Sequence, residues 1–361
     1  MKVVLYGGFI DHQIQLANAL CENHDLLLIL CVRSVPKELL SMIDKRVRYQ
    51  VVGRGQSSYH PMNIVHLIDI LKHIRKFKPD LVHLEMGGAW VDMIFFQFLR
   101  PYPIVTTFHD VVLHRGEYSE WTERIRTYIR KRSDKIIVHG RRLRETAIDS
   151  LGLDPNTVHV VPLGAPELPA FKMHEKPELR EVQNQILFFG RIREYKGLGC
   201  LIKAEPRITQ EIPGAKIVIA GAGREMARYQ PRIRERPHSF DVRNRQISYA
   251  EGAELFQKCS IVVLPYTEAS QSGVVPVAYG FKKPVVVTRV GSIPEIVDDE
   301  ITGLIIPPND PGALAEAIIR LLKDERLRHE MGENGFRRLS EPLSWKRIAE
   351  ETIKVYNEAM E

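Results

Sequence analysis

No apolar stretch in the sequence nears the roughly 18 residues that a membrane span needs. The strongest run, Ile94 to Leu99, is short and interrupted by Gln97. The four cysteines, Cys21, Cys31, Cys200 and Cys259, form no CxxC pair. They are expected to be free buried thiols, not disulfides or zinc ligands. There is no short-period repeat and no low-complexity tract. Met1 to Gly8 runs from a strand pattern into a glycine turn. It lacks the basic, apolar, small-residue order of a secretory leader, which predicts a cytoplasmic protein. With 44% apolar and 27% charged residues, the composition is that of an ordinary globular chain. Whole-chain disorder, collagen and coiled coil are excluded.

What is present is length and a lopsided charge. The 361 residues exceed one compact core, so two domains are expected. Residues 1–165 carry 22 Lys and Arg against 17 Asp and Glu, and residues 166–361 carry 29 against 28. The net charge of +6 therefore lies mostly in the first half. The densest patch runs from Arg124 to Arg144, with Asp134 as its one acidic residue. Such a patch suits anionic lipid, nucleic acid or a phosphorylated substrate; the plainer reading is a solvated helix face. The patch carries too few interleaved aromatics for base stacking, so no nucleic-acid partner is expected.

Short apolar runs alternate with helical stretches, which predicts parallel sheets in an α/β fold. Strands are expected at Lys2–Tyr6, Asp25–Val32, Arg48–Val52, Leu81–Leu84, Ile104–Phe108, Lys135–His139 and Val158–Pro162. A second series is Ile186–Phe189, Lys216–Ala220, Ile261–Pro265, Pro284–Thr288 and Leu304–Ile306. Ile64, Leu67, Ile68, Leu71 and Ile74 mark a helix with one buried stripe. Helices Gly312–Leu322, Glu325–Leu339 and Trp345–Met360 close the sequence. Pro166, Pro169 and Pro177 break the rhythm, and the domain boundary is expected there. The expected organisation is a doubly wound domain at 1–165, a linker at 166–185, a second doubly wound domain at 186–340 and a final helix within 341–361. Such sheets bind ligands at the carboxyl ends of their strands, and two of them are expected to face one another across a cleft.

Four strand-to-loop junctions carry candidate chemistry. Gly7 and Gly8 precede a helix start, where backbone approaches a ligand closely and free amides favour anions; a tight structural turn reads equally well. Gly190 is followed by Arg191 and Lys196, a fork and a movable point charge suited to a diphosphate. The third junction runs from Leu264 to Gly280. Pro276 is tolerated only in a first turn, so a helix is expected to begin near Ser272. The amides of Ser272, Gly273 and Val274 would then face a phosphate, with Glu268, Ser270 and Gln271 beside it. The fourth is Thr107-Phe108-His109-Asp110, where His109 suits a hydroxyl or a proton. At the second and third junctions, ordinary solvated or capping residues are the alternative.

In order, Gly190-Arg191 with Lys196-Gly197, Ile219 to Gly223, Leu264-Pro265-Tyr266, Lys283 to Thr288, Gly291 to Val297 and Thr302-Gly303-Leu304 resemble the nucleotide-sugar half of family 4 glycosyltransferases of GT-B fold. The first half fits through Gly7-Gly8, His12, Pro79 to His83 and Thr107 to Asp110. The resemblance implies two Rossmann-like domains, an N-terminal one for the acceptor and a C-terminal one for the donor, with the last helix crossing back to the first domain. It implies a retaining transfer of a sugar from a nucleotide-diphosphate donor to a hydroxyl, in cell-surface glycan, polysaccharide or glycolipid synthesis. Catalytic roles fall on His109, Glu268, Arg191 and Lys196. Donor contacts fall on Gly7, Gly8, Gly190, Gly221, Glu268, Ser270, Gln271, Ser272, Gly273 and Val274, and the acceptor side on His12 and Asp110.

No cofactor and no metal are expected, and Asp298-Asp299-Glu300 reads as a surface turn. The acceptor is expected to be lipid-linked or soluble, with peripheral contact to an anionic membrane at its cytosolic face. One departure stands out. The family's second glutamate of the third junction falls on Val277, so ribose contact must come from elsewhere or the nucleotide is held less tightly. A GT-B nucleotide-sugar epimerase and a non-catalytic nucleotide-sugar-binding partner are the competing readings.

Overall fold

The computed structural model describes residues 1–32, 35–53, 62–85, 90–113 and 119–361. The chain divides into two units: Met1–Pro166 together with Leu343–Glu361, and Glu167–Pro342.

Unit 1 begins with β1 (Lys2–Gly7), α1 (Ile10–Leu20), β2 (Asp25–Cys31), α2 (Lys37–Ser41) and β3 (Arg48–Val52). It continues with α3 (Met62–Phe77), β4 (Leu81–Glu85), α4 (Trp90–Leu99) and β5 (Ile104–Thr107). Then come α5 (Glu120–Arg130), β6 (Lys135–Val138), α6 (Arg141–Asp149) and β7 (Val158–Val160). The seven strands are parallel in the order β3-β2-β1-β4-β5-β6-β7. Their apolar runs are buried on both faces because helices cover both sides of a parallel sheet. The order reverses between β1 and β4, which makes their carboxyl ends the ligand crevice of a doubly wound sheet.

Unit 2 opens with α7 (Leu168–Lys172), β8 (Gln185–Phe189), α8 (Leu198–Glu211), β9 (Lys216–Ala220) and α9 (Met226–Glu235). It proceeds through β10 (Phe240–Arg243), α10 (Tyr249–Lys258), β11 (Ile261–Leu264), α11 (Val274–Gly280) and β12 (Val285–Thr288). It ends with α12 (Ile293–Ile296), β13 (Gly303–Ile306), α13 (Pro311–Lys323) and α14 (Glu325–Ser340). Its six-stranded order, β10-β9-β8-β11-β12-β13, reverses between β8 and β11. The remaining helix, α15 (Trp345–Met360), belongs to unit 1. There Tyr356 is buried and its hydroxyl meets His83 Nδ1 at 2.6 Å.

Three features depart from the sequence reading. Of the stripe expected on α3, Leu67, Leu71 and Ile74 are buried but Ile64 and Ile68 are each 50% exposed. The edge strand β10 was absent from that reading, because only Phe240 of Phe-Asp-Val-Arg is buried and Asp241 pairs with Arg243. The segment 166–185, expected as a linker, folds onto unit 2 instead. Its Pro169 stands at the start of α7, where a missing amide hydrogen costs nothing. Phe171 packs edge-on against Phe189, Tyr249 and Phe256. Glu181 accepts from Lys283 Nζ at 2.9 Å and lies 3.4 Å from Arg328.

Burial alone would raise the Glu181 carboxyl, but Lys283 and Arg328 hold it below the ordinary carboxylate value. A depressed carboxylate stabilises the fold above its unfolded pKa, and that stabilisation is lost as pH falls. Glu181→Gln is therefore expected to cost about 2 kcal/mol at neutral pH. Its stability should converge on wild type in acid, as read by denaturant melts across pH.

Candidate functional site

In unit 2 the site grows from backbone that comes very close to backbone. Gly197 has φ 70, and a Cβ there would lie 1.7 Å from the Pro265 carbonyl oxygen. Gly221, at φ 148, would place one 1.8 Å from the Gly190 oxygen, and Gly291 one 1.7 Å from that of Ala269. Glycine alone permits these approaches. They pull the turns after β8, β9, β11 and β12 onto the carboxyl edge of the sheet. Gly190 N donates to Ala220 O and Ile192 N to Ala222 O, each at 2.9 Å. Thr267 N reaches Tyr195 O at 2.8 Å, and Ser292 N reaches Ser270 O at 3.1 Å.

Onto this frame the side chains are fixed. Lys196 Nζ stands 3.8 Å from the centroid of the Tyr266 ring, a cation–π contact that holds the ammonium over it. Arg191 is exposed. Arg193 is engaged by Glu225 at 3.3 Å. Glu268 and Gln271 are half-buried; Ser270 and Ser272 are buried, and Ser272 Oγ has no hydrogen-bond partner among the described residues. Helix α11 starts at Val274 with Gly273 as its cap, two residues later than expected. Its first intrahelical bond of that turn is Val277 N to Gly273 O at 3.4 Å, so the amides ahead of it have no intrahelical partner. Val274 Cγ2 comes within 4.0 Å of where a Gly190 Cβ would be. The structure thus brings Gly190, Gly221, Val274 and the Lys196 loop together. Val277 is 1% exposed, its side chain turned into the interior. The acidic turn is spoken for: Asp298 binds Arg338, Asp299 accepts from Ile305 N and Glu300 pairs with Arg320.

In unit 1 the carboxyl ends of β1, β4 and β5 lie in register, Gly7 beside Glu85 and Glu85 beside Thr107. Gly7 has no room for a side chain, with the Glu85 oxygen 2.5 Å from the position of a Cβ, whereas a Cβ at Gly8 would make only ordinary contacts, the nearest with Cys31 O at 3.6 Å. Glu85 is buried, and one of its oxygens makes a short hydrogen bond with His12 Nδ1. The other lies 3.5 Å from His109 Nε2. His109 Nδ1 meets His139 Nε2 at 3.1 Å, and His139 Nδ1 meets Val161 O at 2.9 Å. Phe9 covers the His109 ring at 3.9 Å. Burial would raise the Glu85 carboxyl, yet His12 and His109 hold it well below the carboxylate range. Burial pushes His139 well below the usual imidazole value and His83 down to about 4.

The loop after β5 is held by the basic helix α5. Arg126 donates to Asp110 O and Arg130 to Val111 O, both guanidinium groups lying 5.3 Å from the Phe108 ring. Two cations of the expected surface patch are therefore buried supports for the His109–Asp110 turn. The Trp345 ring of α15 meets the His12 ring edge-on, with centroids 5.4 Å apart. Sequence reading missed Glu85, His139 and Trp345. A glutamate closing the buried strand Leu81–Glu85 was the available signal for the first. The other two join the cluster only through tertiary packing.

The fold and these junctions have known counterparts. Residues 170–338 match the family described as "Glycosyl transferases group 1", and residues 6–166 match "Glycosyltransferase Family 4". The chain belongs to the group 1, family 4 glycosyltransferases. A family-4 glycosyltransferase of this kind has relatives at modest identity. It is 32% identical over 51% of its length to an uncharacterized glycosyltransferase of Methanocaldococcus jannaschii, MJ1607, of which that match spans 47%. A second from that organism, MJ1178, is 38% identical over 31% of each chain, so the match spans half or less of these relatives' lengths. The Escherichia coli O-antigen chain mannosyltransferase C is 24% identical over 81% of this chain and 80% of its own. Among solved structures, Thermosynechococcus elongatus sucrose-phosphate synthase aligns with TM-score 0.76 at 18% identity, covering 99% of this chain and 98% of that one. Anabaena HepE, solved in complex with UDP-glucose, aligns with TM-score 0.76 at 16% identity over 99% of both chains. These likenesses establish the fold as GT-B.

The close approach at Gly197 is testable without substrate. Gly197→Ala must displace the Pro265 carbonyl and is expected to lower Tm by many degrees. Gly214→Ala, at φ 90 with nothing within 4 Å, carries backbone strain alone, about 1–2 kcal/mol. Equal Tm losses would show that the contact does not govern the loop.

Proposed function

We propose that the protein transfers a sugar from a nucleoside-diphosphate sugar to a hydroxyl acceptor, with retention at the anomeric carbon. The observation that carries this reading is the side-chain-free bed of Gly190 and Gly221 at the β8–β11 switch point, beside the start of α11 and Lys196. A diphosphate leaving group needs positive charge arranged in advance. Arg191, Lys196 and the free amides at the α11 start supply it, so its departure needs no metal. Glu268 binds hydroxyls of the donor sugar, with Ser270, Gln271, Ser272 and Gly273 beside it. In unit 1, Gly7, Gly8 and His109 belong to the donor and His12 and Asp110 to the acceptor. HepE's complex with UDP-glucose makes UDP-sugars the first donors to try. With Val277 buried, the nucleotide ribose is held by other groups.

For the acceptor we favour a lipid-linked hydroxyl at an anionic membrane on its cytosolic face, in cell-surface glycan, polysaccharide or glycolipid synthesis. Among the described residues, no helix is long and apolar enough to cross a membrane. The support for surface contact is α3, where exposed Ile64, Val65 and Ile68 lead into exposed Lys72, Arg75 and Lys76. Apolar side chains followed by cations suit an interfacial helix on acidic lipid.

A panel of nucleotide sugars, read for binding and slow hydrolysis, is the first experiment. Release of free nucleoside diphosphate is expected, and Arg191→Ala and Lys196→Ala should each lower it about 100-fold. Isomerised donor without free diphosphate would point to an epimerase, and binding without turnover to a non-catalytic partner. For the membrane, co-sedimentation with phosphatidylserine vesicles is expected, lost at high salt and weakened by Ile64→Glu with Ile68→Glu. Absence of binding at low salt rejects that part.

A further inference from the structure

Positive charge in unit 2 is concentrated in one place. Glu167–Pro342 carries 26 Lys and Arg against 24 Asp and Glu. Residues 224–245 hold seven arginines, no lysine and three acidic residues, which leaves 19 against 21 in the rest of the unit. Away from that segment, the unit with the diphosphate bed is net negative. Building on the nucleoside-diphosphate donor proposed above, we infer that the arginines of α9 and of the turn before it steer that anion onto the bed.

The patch begins at the edge of the bed. Arg224 stands three residues after Gly221, at most about 11 Å of chain. The turn between them is tied down, with Gly223 N donating to Asn244 Oδ1 at 2.9 Å. Two ion pairs at 3.3 Å, Arg193–Glu225 and Arg228–Glu194, join the start of α9 to the loop that carries Lys196. Arg228 thereby offsets the carboxylate two residues before Lys196. Arg228 and Arg232 lie one turn apart, opposite the buried Met226 and Ile233. Arg224, Arg228, Arg232 and Arg234 are all exposed. Arg224, Arg232 and Arg234 make no hydrogen bond or ion pair among the described residues.

Fold stability does not account for these side chains, since like charges one turn apart destabilise a helix. Lipid is a poor partner: no large apolar side chain between residues 217 and 258 is exposed, in contrast to α3. Nucleic acid is another, because Tyr229, Phe240 and Tyr249 are half-buried or buried and leave no exposed ring for a base. A diphosphate needs neither. A field of one sign beside a binding site raises the local concentration of an oppositely charged substrate and its association rate. The field reaches about 30 Å in 0.01 M salt and about 8 Å at 0.15 M. Helix α9 is about 15 Å long. Arg224 and Arg228 therefore act at physiological ionic strength, and Arg232 and Arg234 chiefly in dilute salt.

Stopped-flow mixing of the full chain with UDP, GDP and ADP, each carrying a fluorescent ribose label, reads association and dissociation separately. A variant combining Arg224→Gln, Arg232→Gln and Arg234→Gln is expected to associate about 10-fold more slowly in dilute salt, with koff unchanged. The difference should vanish at high salt, where the field is screened. Arg224→Lys, Arg232→Lys and Arg234→Lys together keep the charge, and that variant should associate as wild type. Equal association rates for wild type and the glutamine variant in dilute salt overturn steering and leave the donor site standing. A raised koff shared by the lysine variant makes the arginines direct contacts and overturns it as well. If no nucleoside diphosphate binds the wild type, the donor site itself is refuted and steering falls with it.

Discussion

Unit 2 depends on places where one backbone touches another with nothing between. At Gly197, Gly221 and Gly291 a carbonyl oxygen occupies the space of a β-carbon. Each contact lies beyond a strand's carboxyl end, and each ties one crossover turn to the next. Through them Lys196 acquires a fixed position over Tyr266, and Gly190 offers bare peptide to whatever enters. The chemistry of this half thus follows from the absence of side chains as much as from their presence. A charged loop without those glycines would stand off from the sheet and solvate its cations in water.

Unit 1 solves the opposite problem, since its strand ends converge on polar groups taken out of water. A buried carboxylate is costly unless it is paired and hydrogen-bonded. Glu85 is flanked by imidazoles from two different elements, α1 and the loop after β5. Beneath it, His83 is occupied at both nitrogens, by Tyr356 and by Thr107. Around it, Arg126 and Arg130 hold the turn that carries His109. Such an arrangement tolerates little change, because removing one member leaves another's lone pair or charge unmatched.

Much of this was legible in the residues. Strand-like runs ending in glycine or polar junctions announced a doubly wound sheet twice over, and Pro276 placed a helix start to within two residues. What stayed hidden was non-local. The edge strand Phe240–Arg243 alternates apolar and polar residues over only four positions, too short a run to stand out from a charged loop. The stretch after Pro166 looks like a linker, because its anchors, Phe171 and Glu181, find partners far along the chain. Glu85, His139 and Trp345 are unremarkable in sequence and meet only when four strand ends and a distant helix come together. For Val277 the sequence identified the departure from the family, and the fold explains why no polar group is served there.

The placement of α15 has a consequence for how the protein is made. Its Tyr356 closes over His83, and Ile348 and Trp345 cover Gly164, so the interior of the first unit is sealed by residues encoded after the whole of the second. On the ribosome, the early sheet must wait, with an unsealed flank, while unit 2 is translated and folds. Completion of the half that begins first is therefore the later event.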